Sequence, residues 1–497
     1  MVRGYRRLGI VILALLLCIS PGMTALATGT TQTKNGQKET KELTEEEKKM
    51  QEELEAAYKI PTESNSWEGW KKGPGTYGEA AIVMEASTGA ILYAKNIDAK
   101  EYPASITKVL TALVALENGN FSDTVTFSHD CVSFLQPGDS SVGLKEGNVI
   151  TLEQALYATL LASANEAAYA VGENVGKNAG YDYNWFIDQM NIRAKELGGV
   201  NSNFANTNGL HDKNHYTCAR DMALIGSELF KHPEFFKIVQ TLEYKIPKSK
   251  TVEEHVFQQK DKMLRPQNEN YYKYAVGGKT GFTSDALSTL ITMAEKDGMQ
   301  LVCVVLRTHG KNVYPDTRKL LKYGFKNFEK VEVSGHEKSA DIAGLAEGDN
   351  YVILPKGVAF EDLDMELTEN GGTENTATLT YSYKGNYVGR AQANLSDLYI
   401  DANSPEESDT SAEPEDKKDN EEESREDSDS ESSVKDKIKS VIFKIPGMSK
   451  AWEMLGLSGK SRTDKIVLAV AFPVLVVLII IFIIVLIRRH IVKRRKR

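Results

Sequence analysis

The feature that most constrains this chain is the apolar run from Ile466 to Ile487, which contains no charged residue. A run of this length is typical of a transmembrane helix, because a helix satisfies its own backbone groups within hydrocarbon. Basic residues follow at once, from Arg488 to Arg497. Since positive charge stays on the cytoplasmic side, we expect a single-pass protein of the cell membrane, with a short cytoplasmic tail at 488–497 and the preceding chain outside.

The amino-terminal residues predict export. Arg3, Arg6 and Arg7 precede an apolar run from Leu8 to Ile19, and Ala25-Leu26-Ala27 offers the small residues of a cleavage site. This order of basic, apolar and small residues is typical of a secretory signal peptide. We therefore assign residues 1–27 to a signal peptide and exclude them from the fold.

The central part of the chain predicts an α+β domain. Strand-length apolar runs, Ala80 to Met84 and Ala90 to Tyr93, come before a set of helical patterns. Two more runs, Leu287 to Ala294 and Leu301 to Leu306, come after them and are joined by an Asp-Gly turn. Helices enclosed between strands favour one domain with an antiparallel sheet. Alternating patterns within residues 331–400 predict a small all-β domain after it.

Charge is distributed unevenly along the chain. The formal net charge is −9, but acidic residues crowd into the stretch from Asp401 to Asp436. We expect residues 401–440 to form a disordered acidic linker, extended by its own repulsion, and residues 441–465 to form an amphipathic juxtamembrane segment. No basic patch with interleaved aromatic residues occurs, so no nucleic-acid partner is predicted.

A serine and a lysine three residues apart form the candidate nucleophilic pair. Ser105 and Lys108 follow Pro103, at the start of a helical pattern that ends at Gly119. Residues spaced by three share a helix face, so the Lys108 amine, if neutral, can take the Ser105 hydroxyl proton. The same spacing recurs by chance at Ser432 and Lys435 in the acidic stretch. The pair therefore needs further residues to be informative.

Two further motifs supply them. Ser163-Ala164-Asn165 is the only Ser-x-Asn in the chain, and Lys279-Thr280-Gly281 is the only Lys-Thr-Gly. The order Ser-x-x-Lys, Ser-x-Asn, Lys-Thr-Gly is the motif set of penicillin-binding proteins and class A β-lactamases. The three motifs together, in an exported chain, predict a serine acyl-transfer enzyme.

The chain resembles the D-alanyl-D-alanine carboxypeptidases, the low-molecular-weight penicillin-binding proteins of the peptidase S11 family. The resemblance covers about residues 78–328 and extends more loosely over the small β domain. Its stretches are Met84-Glu85-Ala86-Ser87-Thr88-Gly89, Pro103-Ala104-Ser105, Asn206-Thr207-Asn208-Gly209-Leu210-His211 and Gly278-Lys279-Thr280-Gly281-Phe282-Thr283. It implies a penicillin-binding/β-lactamase-like transpeptidase domain, in which an antiparallel sheet is accompanied by a helical subdomain.

Charge and position assign a role to each motif residue, and the resemblance supports these roles. Ser105 would attack the carbonyl of a D-Ala-D-Ala bond, with Lys108 as the base. Ser163 would relay a proton to the leaving amine, and Asn165 would hold Lys108 and the substrate amide. Lys279 and Thr280 would bind the terminal carboxylate, and Gly281 would allow a close approach to the strand.

The resemblance implies an oxyanion hole formed by the backbone N–H groups of Ser105 and Phe282. It also implies a peptidoglycan stem peptide as substrate and β-lactams as acylating inhibitors. His211 and His215 lie close together, but no cluster of cysteines or carboxylates of ligand spacing surrounds them. We therefore predict no metal and no cofactor.

The predicted organisation is a signal peptide at 1–27, a charged spacer at 28–65, a serine D,D-peptidase domain at 66–330, a small β domain at 331–400, an acidic linker at 401–440, a juxtamembrane segment at 441–465, a transmembrane helix at 466–487 and a basic tail at 488–497. In place of the family's usual glycine, Leu287 follows Asp285-Ala286. A D,D-endopeptidase, a β-lactamase and a catalytically silent penicillin-binding sensor or scaffold remain alternatives.

Overall fold

The computed structural model describes residues 43–371 and 375–403, together with the backbone of two short strands at 30–32 and 38–40. The predicted signal peptide, the juxtamembrane segment, the apolar run at 466–487 and the basic tail lie outside the described residues, as does the acidic linker from residue 404 onward. Within the described part, every helix is too short or too polar to cross a bilayer.

The described strands pair in antiparallel fashion throughout. They are β1 Thr30–Gln32, β2 Lys38–Thr40, β3 Ala80–Glu85, β4 Ile91–Lys95, β5 Thr124–Thr126, β6 Val149–Thr151, β7 Glu243–Ile246, β8 His255–Gln258, β9 Ala275–Thr283, β10 Leu287–Lys296, β11 Met299–Thr308, β12 Phe328–Glu332, β13 Ile342–Leu345, β14 Tyr351–Pro355, β15 Asp364–Glu369, β16 Thr376–Tyr383 and β17 Asn386–Leu395.

The described α-helices are α1 Glu45–Lys59, α2 Thr107–Asn118, α3 His129–Ser133, α4 Leu152–Leu160, α5 Asn165–Asn178, α6 Tyr183–Glu196, α7 Ala219–Glu228, α8 Pro233–Val239, α9 Val313–Asn327 and α10 Asp397–Asn403. The capping box predicted at Thr151 and Gln154 is confirmed at the start of α4. The predicted α+β fold with an antiparallel sheet is confirmed as well.

A five-stranded sheet in the order β4-β3-β11-β10-β9 forms the centre of the peptidase domain. Successive residues of a strand point to opposite faces, and β3 divides its side chains between two cores accordingly. Ile82 and Met84 pack among the helices, whereas Ala81 and Val83 pack in the core that contains α9. Because β9 is an edge strand, one side of it is open to a further strand or to a substrate.

The small β domain is a six-stranded sheet in the order β12-β14-β17-β16-β15, with β13 paired to β17. Its predicted hairpin around Lys384 and Gly385 is confirmed as β16 and β17. The predicted boundary at residue 330 falls inside β12, and the apolar side chains of this sheet continue the core beneath α9. The two sheets are therefore packed together.

Two polar contacts, one buried at Glu85 and one exposed at Ser87, fix the small β domain to the β3–β4 turn. The Glu85 carboxylate is buried and accepts hydrogen bonds from the Thr88 N–H at 2.8 Å and from the Tyr351 hydroxyl at 2.8 Å. The Ser87 hydroxyl donates to the Asp349 carboxylate at 2.7 Å. Burying a carboxylate costs free energy unless it is hydrogen-bonded. The stretch around Glu85, which is one of those that carry the family resemblance, therefore has a structural role.

The segment predicted as a charged spacer includes α1, and the end of this helix is attached to the sheet through Lys95. The Lys95 amine is buried and donates to the carbonyl oxygens of Ala57, Thr76 and Gly78 at 2.8, 2.8 and 2.7 Å. One side chain therefore joins three backbone carbonyls from separate segments, one of which, that of Ala57, also accepts from the Ile60 N–H at 3.2 Å.

We expect Lys95→Met to lower the free energy of unfolding by about 3 kcal/mol, because it removes three charge-assisted hydrogen bonds to backbone carbonyls. Urea-induced unfolding measures the difference. Lys59→Met, at the exposed end of α1, removes the same charge and should be close to neutral. Equal stability of the two variants would contradict this account of Lys95.

Candidate active site

Ser105 lies in a tight turn that is braced from behind. Ala104 to Ile106 form a 3₁₀ turn, and α2 continues from it at Thr107. Ala104 has a φ of 51°, in the left-handed region that costs a non-glycine residue energy. A Cβ on Gly209 would lie 1.9 Å from the Ala104 carbonyl oxygen, so the 206–211 loop packs backbone against backbone here. Only glycine fits this contact.

Lys108 is fully buried beneath Ser105. Its Nζ lies 3.0 Å from Ser105 Oγ, 2.7 Å from Asn165 Oδ1 and 2.5 Å from the Asn208 carbonyl oxygen. Burial, and after it the positive charge of Lys279, holds the pKa of Lys108 well below its ordinary value. A neutral amine has two N–H groups and one lone pair. The two carbonyl oxygens can take both N–H groups, which leaves the lone pair for the Ser105 hydroxyl proton.

The Ser-x-Asn motif occupies the turn between α4 and α5. Ser163 has a φ of 63° and is 6% exposed, at the wall of the cleft. Asn165 begins α5, and its backbone N–H donates to the Ser140 carbonyl at 2.8 Å. The turn therefore holds Ser163 in a strained conformation while it directs the Asn165 side chain toward Lys108.

The Lys-Thr-Gly motif lies on the edge strand β9. Lys279 is buried, and its Nζ donates to the Thr280 carbonyl at 2.8 Å. Burial, and then the nearby charge of Lys260, lowers the pKa of Lys279 to about 7. Asp261 lies close enough to oppose this shift, but burial raises the pKa of Asp261 itself to about 6. The Asp261 carboxylate therefore loses its opposing charge as the pH falls below about 6.

Gly281 is required by the protein itself. A Cβ at this position would lie 2.3 Å from Thr289 Oγ1 and 2.9 Å from the Ser105 backbone nitrogen. Thr289 is fixed there by donating to the Pro103 carbonyl at 2.8 Å. The sequence predicts that Gly281 allows substrate to approach, whereas its close neighbours in the structure are Thr289 Oγ1 and backbone atoms of the nucleophile turn. This contact also sets the Ser105 N–H beside the strand that carries Phe282.

An open cleft of about 660 Å³ collects the predicted residues. Those that line it are Ser105, Ser163, Asn165, Thr280, Gly281 and Phe282, and Lys108 and Lys279 are buried next to it. All the predicted site residues are therefore brought together, although they are separated by up to half of the described chain. The arrangement places a nucleophile, a neutral base and a partly charged second lysine around one space.

Three groups that take part in the site were not predicted from the sequence. The backbone carbonyl of Asn208 accepts a hydrogen bond from Lys108. Every residue has such a carbonyl, so the residue type does not reveal this contact. Lys260 donates to Ser140 Oγ at 2.9 Å and adds a second cation to the cleft wall. Glu166 holds the adjoining loop, because its Oε1 accepts from the Ser141 hydroxyl and from the backbone N–H of Val142, both at 2.7 Å. Nothing in the pattern around Lys260 distinguished it from a surface lysine.

His215 belongs to the support of the nucleophile turn. Its Nδ1 accepts from the Ala205 N–H at 3.0 Å, so Nε2 carries the proton and donates to Thr107 Oγ1 at 2.7 Å. Thr107 in turn donates to the Ala104 carbonyl at 2.9 Å. Both ring nitrogens are therefore occupied by protein contacts. His211, by contrast, lines the cleft.

Leu287 stands where the resemblance implies a glycine, and its backbone conformation is one that favours glycine. Its φ is 53°, in the left-handed region at the start of β10. The turn that precedes it is held by Thr283 Oγ1, which accepts from the Ala286 N–H at 3.0 Å. The turn is thus retained with leucine at this position, and the resulting backbone strain costs a few kcal/mol at most.

Comparison with known proteins gives a consistent result. The family model of peptidase S11, D-alanyl-D-alanine carboxypeptidase, matches residues 71–310. The chain is 31% identical over 261 residues to D-alanyl-D-alanine carboxypeptidase DacF of Bacillus subtilis, covering 50% of this chain and 63% of that protein. It is 30% identical over 311 residues to D-alanyl-D-alanine carboxypeptidase DacA of Haemophilus influenzae, covering 58% of this chain and 75% of that protein.

Among solved structures, penicillin binding protein 5 from Haemophilus influenzae has a TM-score of 0.53 at 24% identity, covering 65% of this chain and 98% of that chain. This likeness establishes the fold. The aligned part of the chain spans a little under two thirds of the Bacillus relative.

The His215 contacts predict a loss of stability in acid. Burial lowers the pKa of His215 from its ordinary 6.5 to about 4. Between these values the unfolded chain binds a proton that the folded chain does not, so the free energy of unfolding falls as the pH falls. The fall from pH 6.5 to 4 should be about 3 kcal/mol smaller in His215→Gln than in the unaltered protein.

Urea-induced unfolding at a series of pH values measures this difference. The matched control is His129→Gln, at an exposed histidine of α3, which should retain the acid loss attributed to His215. A parallel pH dependence in the unaltered protein and His215→Gln would show that His215 is not the group responsible.

Proposed function

The chain belongs to the peptidase S11 family, and on that premise we propose that it is a serine-type D-Ala-D-Ala carboxypeptidase. Its substrate is a peptidoglycan stem peptide, from which it removes the terminal D-alanine through an acyl-enzyme on Ser105. The observation that carries the proposal is the buried Lys108 amine, 3.0 Å from Ser105 Oγ, with its other two contacts made to carbonyl oxygens.

In the acylation step, Ser105 Oγ attacks the carbonyl carbon between the two D-alanines and its proton passes to Lys108. The N–H groups of Ser105 and Phe282 receive the developing negative charge on the carbonyl oxygen. The C–N bond then breaks as Ser163 gives its proton to the departing amine and receives the proton held by Lys108, so that both groups return to their starting states. A water molecule hydrolyses the resulting ester and restores the Ser105 hydroxyl.

The terminal carboxylate of the substrate is bound at the Lys279 end of the cleft. Thr280 offers its hydroxyl there, and Lys279 and Lys260 supply positive charge. A carboxylate that arrives beside Lys279 favours its protonated form, because opposite charges at short range stabilise each other. This requirement selects a peptide with a free carboxyl terminus, as a carboxypeptidase needs.

A β-lactam forms the same ester with Ser105. A β-lactamase would also need a group that activates water for rapid release of that ester. Glu166 is not placed for this, because it is fully buried and stands apart from the residues that line the cleft, while its Oε1 accepts hydrogen bonds from Ser141, Val142 and Gly143 of the adjoining loop. We therefore place β-lactams among the inhibitors of the enzyme.

The segments near each end of the sequence support a proposal for the site of action. We propose that residues 1–27 direct export and that residues 466–487 anchor the chain in the cell membrane. The peptidase domain then lies outside the cytoplasmic membrane on an acidic linker, with the basic tail in the cytoplasm. The supporting observations are the arrangement of apolar and basic residues at each end.

The nucleophile assignment predicts that Ser105→Ala abolishes two activities together. These are release of D-alanine from a peptide ending in D-Ala-D-Ala and covalent labelling by fluorescent penicillin. The matched control is Ser133→Ala, an exposed serine at the end of α3, which should retain both. Labelling without release in the unaltered protein would favour a penicillin-binding sensor, and fast β-lactam turnover would favour a β-lactamase.

The two lysines predict a bell-shaped dependence of kcat/KM on pH. The acid limb arises because Lys108 must be neutral, so activity falls as protonation increases with decreasing pH. The alkaline limb arises because Lys279 must be charged, and its pKa in the free enzyme is about 7. Lys279→Arg keeps the charge at high pH and should move the alkaline limb upward.

Steady-state D-alanine release between pH 5 and about 10 measures both limbs. Lys273→Arg, an exposed lysine just before β9, is the matched control and should leave the profile in place. An alkaline limb that stays fixed in Lys279→Arg would mean that another group controls it.

A further inference from the structure

Helix α1 contacts the connection between β11 and α9, although it lies before residue 71, where the family match begins. His309 Nε2 donates a hydrogen bond to Glu53 Oε2 at 2.6 Å, and Glu53 Oε1 lies 3.9 Å from Lys49 on the same helix. An ionised carboxylate only accepts hydrogen bonds, so the His309 ring carries its proton on Nε2. The Glu53–His309 contact therefore joins a helix outside the family match to the residue that directly follows β11.

A second contact of α1 reaches the other end of the same connection. The Tyr58 ring packs against Tyr77 at 5.0 Å between centroids. The Tyr77 N–H donates to the carboxylate of Asp316 at 2.6 Å, and Asp316 is buried in the first turn of α9. The connection is thus held at its start by Glu53 and at its end, through Tyr77, by Tyr58. We call Glu53, Tyr58, Tyr77 and His309 the α1 clamp.

The connection has a backbone conformation that needs outside support. Arg307 has a φ of 50°, in the left-handed region that costs a non-glycine residue energy, and Gly310 has a φ of 52°. Between them, the His309 carbonyl accepts from the Asn312 N–H at 3.3 Å. A strained conformation of this kind persists only where the surrounding contacts fix it. The α1 clamp supplies such contacts on both sides of the 3₁₀ turn that begins at Gly310.

The connection reaches the reaction site in two ways. Gly310 itself lines the cleft. His309 directly follows Thr308, the last residue of β11, and Thr308 pairs with Ser288 of β10. Ser288 pairs in turn with Phe282 of β9. Since the Phe282 N–H is the proposed second donor of the oxyanion hole, a row of three paired strand positions leads from the clamp to that donor.

The pairing at this end of the sheet is irregular. The register between β10 and β11 shifts between Ser288 and Leu290, whereas it is regular from Leu290 to Lys296. A register shift interrupts the ladder of hydrogen bonds, so the strand ends beyond it are less firmly fixed by the sheet alone. The row that ends at Phe282 therefore depends on contacts from outside the sheet.

We propose that Glu53 is a positioning residue for the acylation of Ser105, because it fixes the end of β11 through His309 and thereby the Phe282 N–H. The proposal rests on the acylation step of the proposed function, which places the carbonyl oxygen of the substrate at that N–H. A donor that is slightly displaced stabilises the developing negative charge less well. Loss of the Glu53 contact then slows acylation while the chain stays folded.

A second support limits the size of the effect. Arg307 Nη1 donates to the Asp285 carbonyl oxygen in the β9–β10 turn at 2.6 Å, and Arg307 Nε donates to Glu79 at 2.9 Å. These contacts remain when Glu53 is changed. We therefore expect Glu53→Ala to slow the acylation of Ser105 about fivefold and not to abolish it.

The test measures acylation of the full-length protein by an excess of fluorescent penicillin, recording both the rate and the final amount of label. We expect Glu53→Ala to be labelled about fivefold more slowly but to the same final amount. Glu53→Gln keeps a side-chain oxygen that can accept from His309, and it should recover most of the rate. Glu52→Ala, at an exposed glutamate of the same helix, is the matched control and should keep the rate of the unaltered protein.

A double-mutant cycle tests whether Glu53 acts through His309. His309→Ala should slow acylation by a similar factor, and Glu53→Ala combined with His309→Ala should be no slower than the slower single variant. An unchanged rate in Glu53→Ala, or an equal loss in Glu52→Ala, would overturn the proposal. A reduced final amount of label at an unchanged rate would show that α1 only stabilises the fold, and additive losses in the cycle would refute the route through His309.

The same variants separate the clamp from the proposed function. Equal acylation rates in every variant, with normal release of D-alanine from a peptide ending in D-Ala-D-Ala, refute only the positioning role of Glu53. Acylation of the unaltered protein without any release of D-alanine refutes the carboxypeptidase assignment. In that case the acylation rates of the variants still decide whether Glu53 positions the site.

Discussion

The Lys108 amine is withdrawn from water and held among the oxygen atoms of Ser105, Asn165 and Asn208, and the active site is built around that burial. A buried ammonium without a paired carboxylate is unfavourable, so the environment itself favours the neutral base. The fold offsets the free-energy cost of burying this lysine by supplying hydrogen-bond acceptors from two segments that are distant in the sequence. Each of those segments is therefore fixed by further contacts.

Those contacts reach well beyond the motif residues. His215 and Thr107 pass a chain of hydrogen bonds to the Ala104 carbonyl, and Gly209 packs directly against the same carbonyl. On the other side, Gly281 brings the edge strand against the Ser105 backbone. The nucleophile is thus held between a loop and a strand, and its left-handed neighbour Ala104 retains a strained conformation because both sides oppose relaxation.

The large sheet connects this site to the rest of the described chain. Its alternating side chains take part in two cores, one with the helical subdomain and one with α9 and the small β domain. Glu85 stabilises the second core by accepting a hydrogen bond from the Tyr351 hydroxyl across the boundary between the two sheets. The small β domain consequently supports the far face of the sheet whose edge strand carries Lys279.

The sequence by itself determined the fold class, the family and the short-range pairs, because these depend on local order and spacing. Ser105 with Lys108, and Ser163 with Asn165, lie within single turns whose geometry the residue spacing predicts. Only the tertiary structure decided that the Asn208 carbonyl shares the Lys108 amine, that His215 supports the nucleophile turn and that His211 meets Asp285. Such contacts join residues far apart in the chain, often through backbone atoms common to every residue, so no local pattern can encode them.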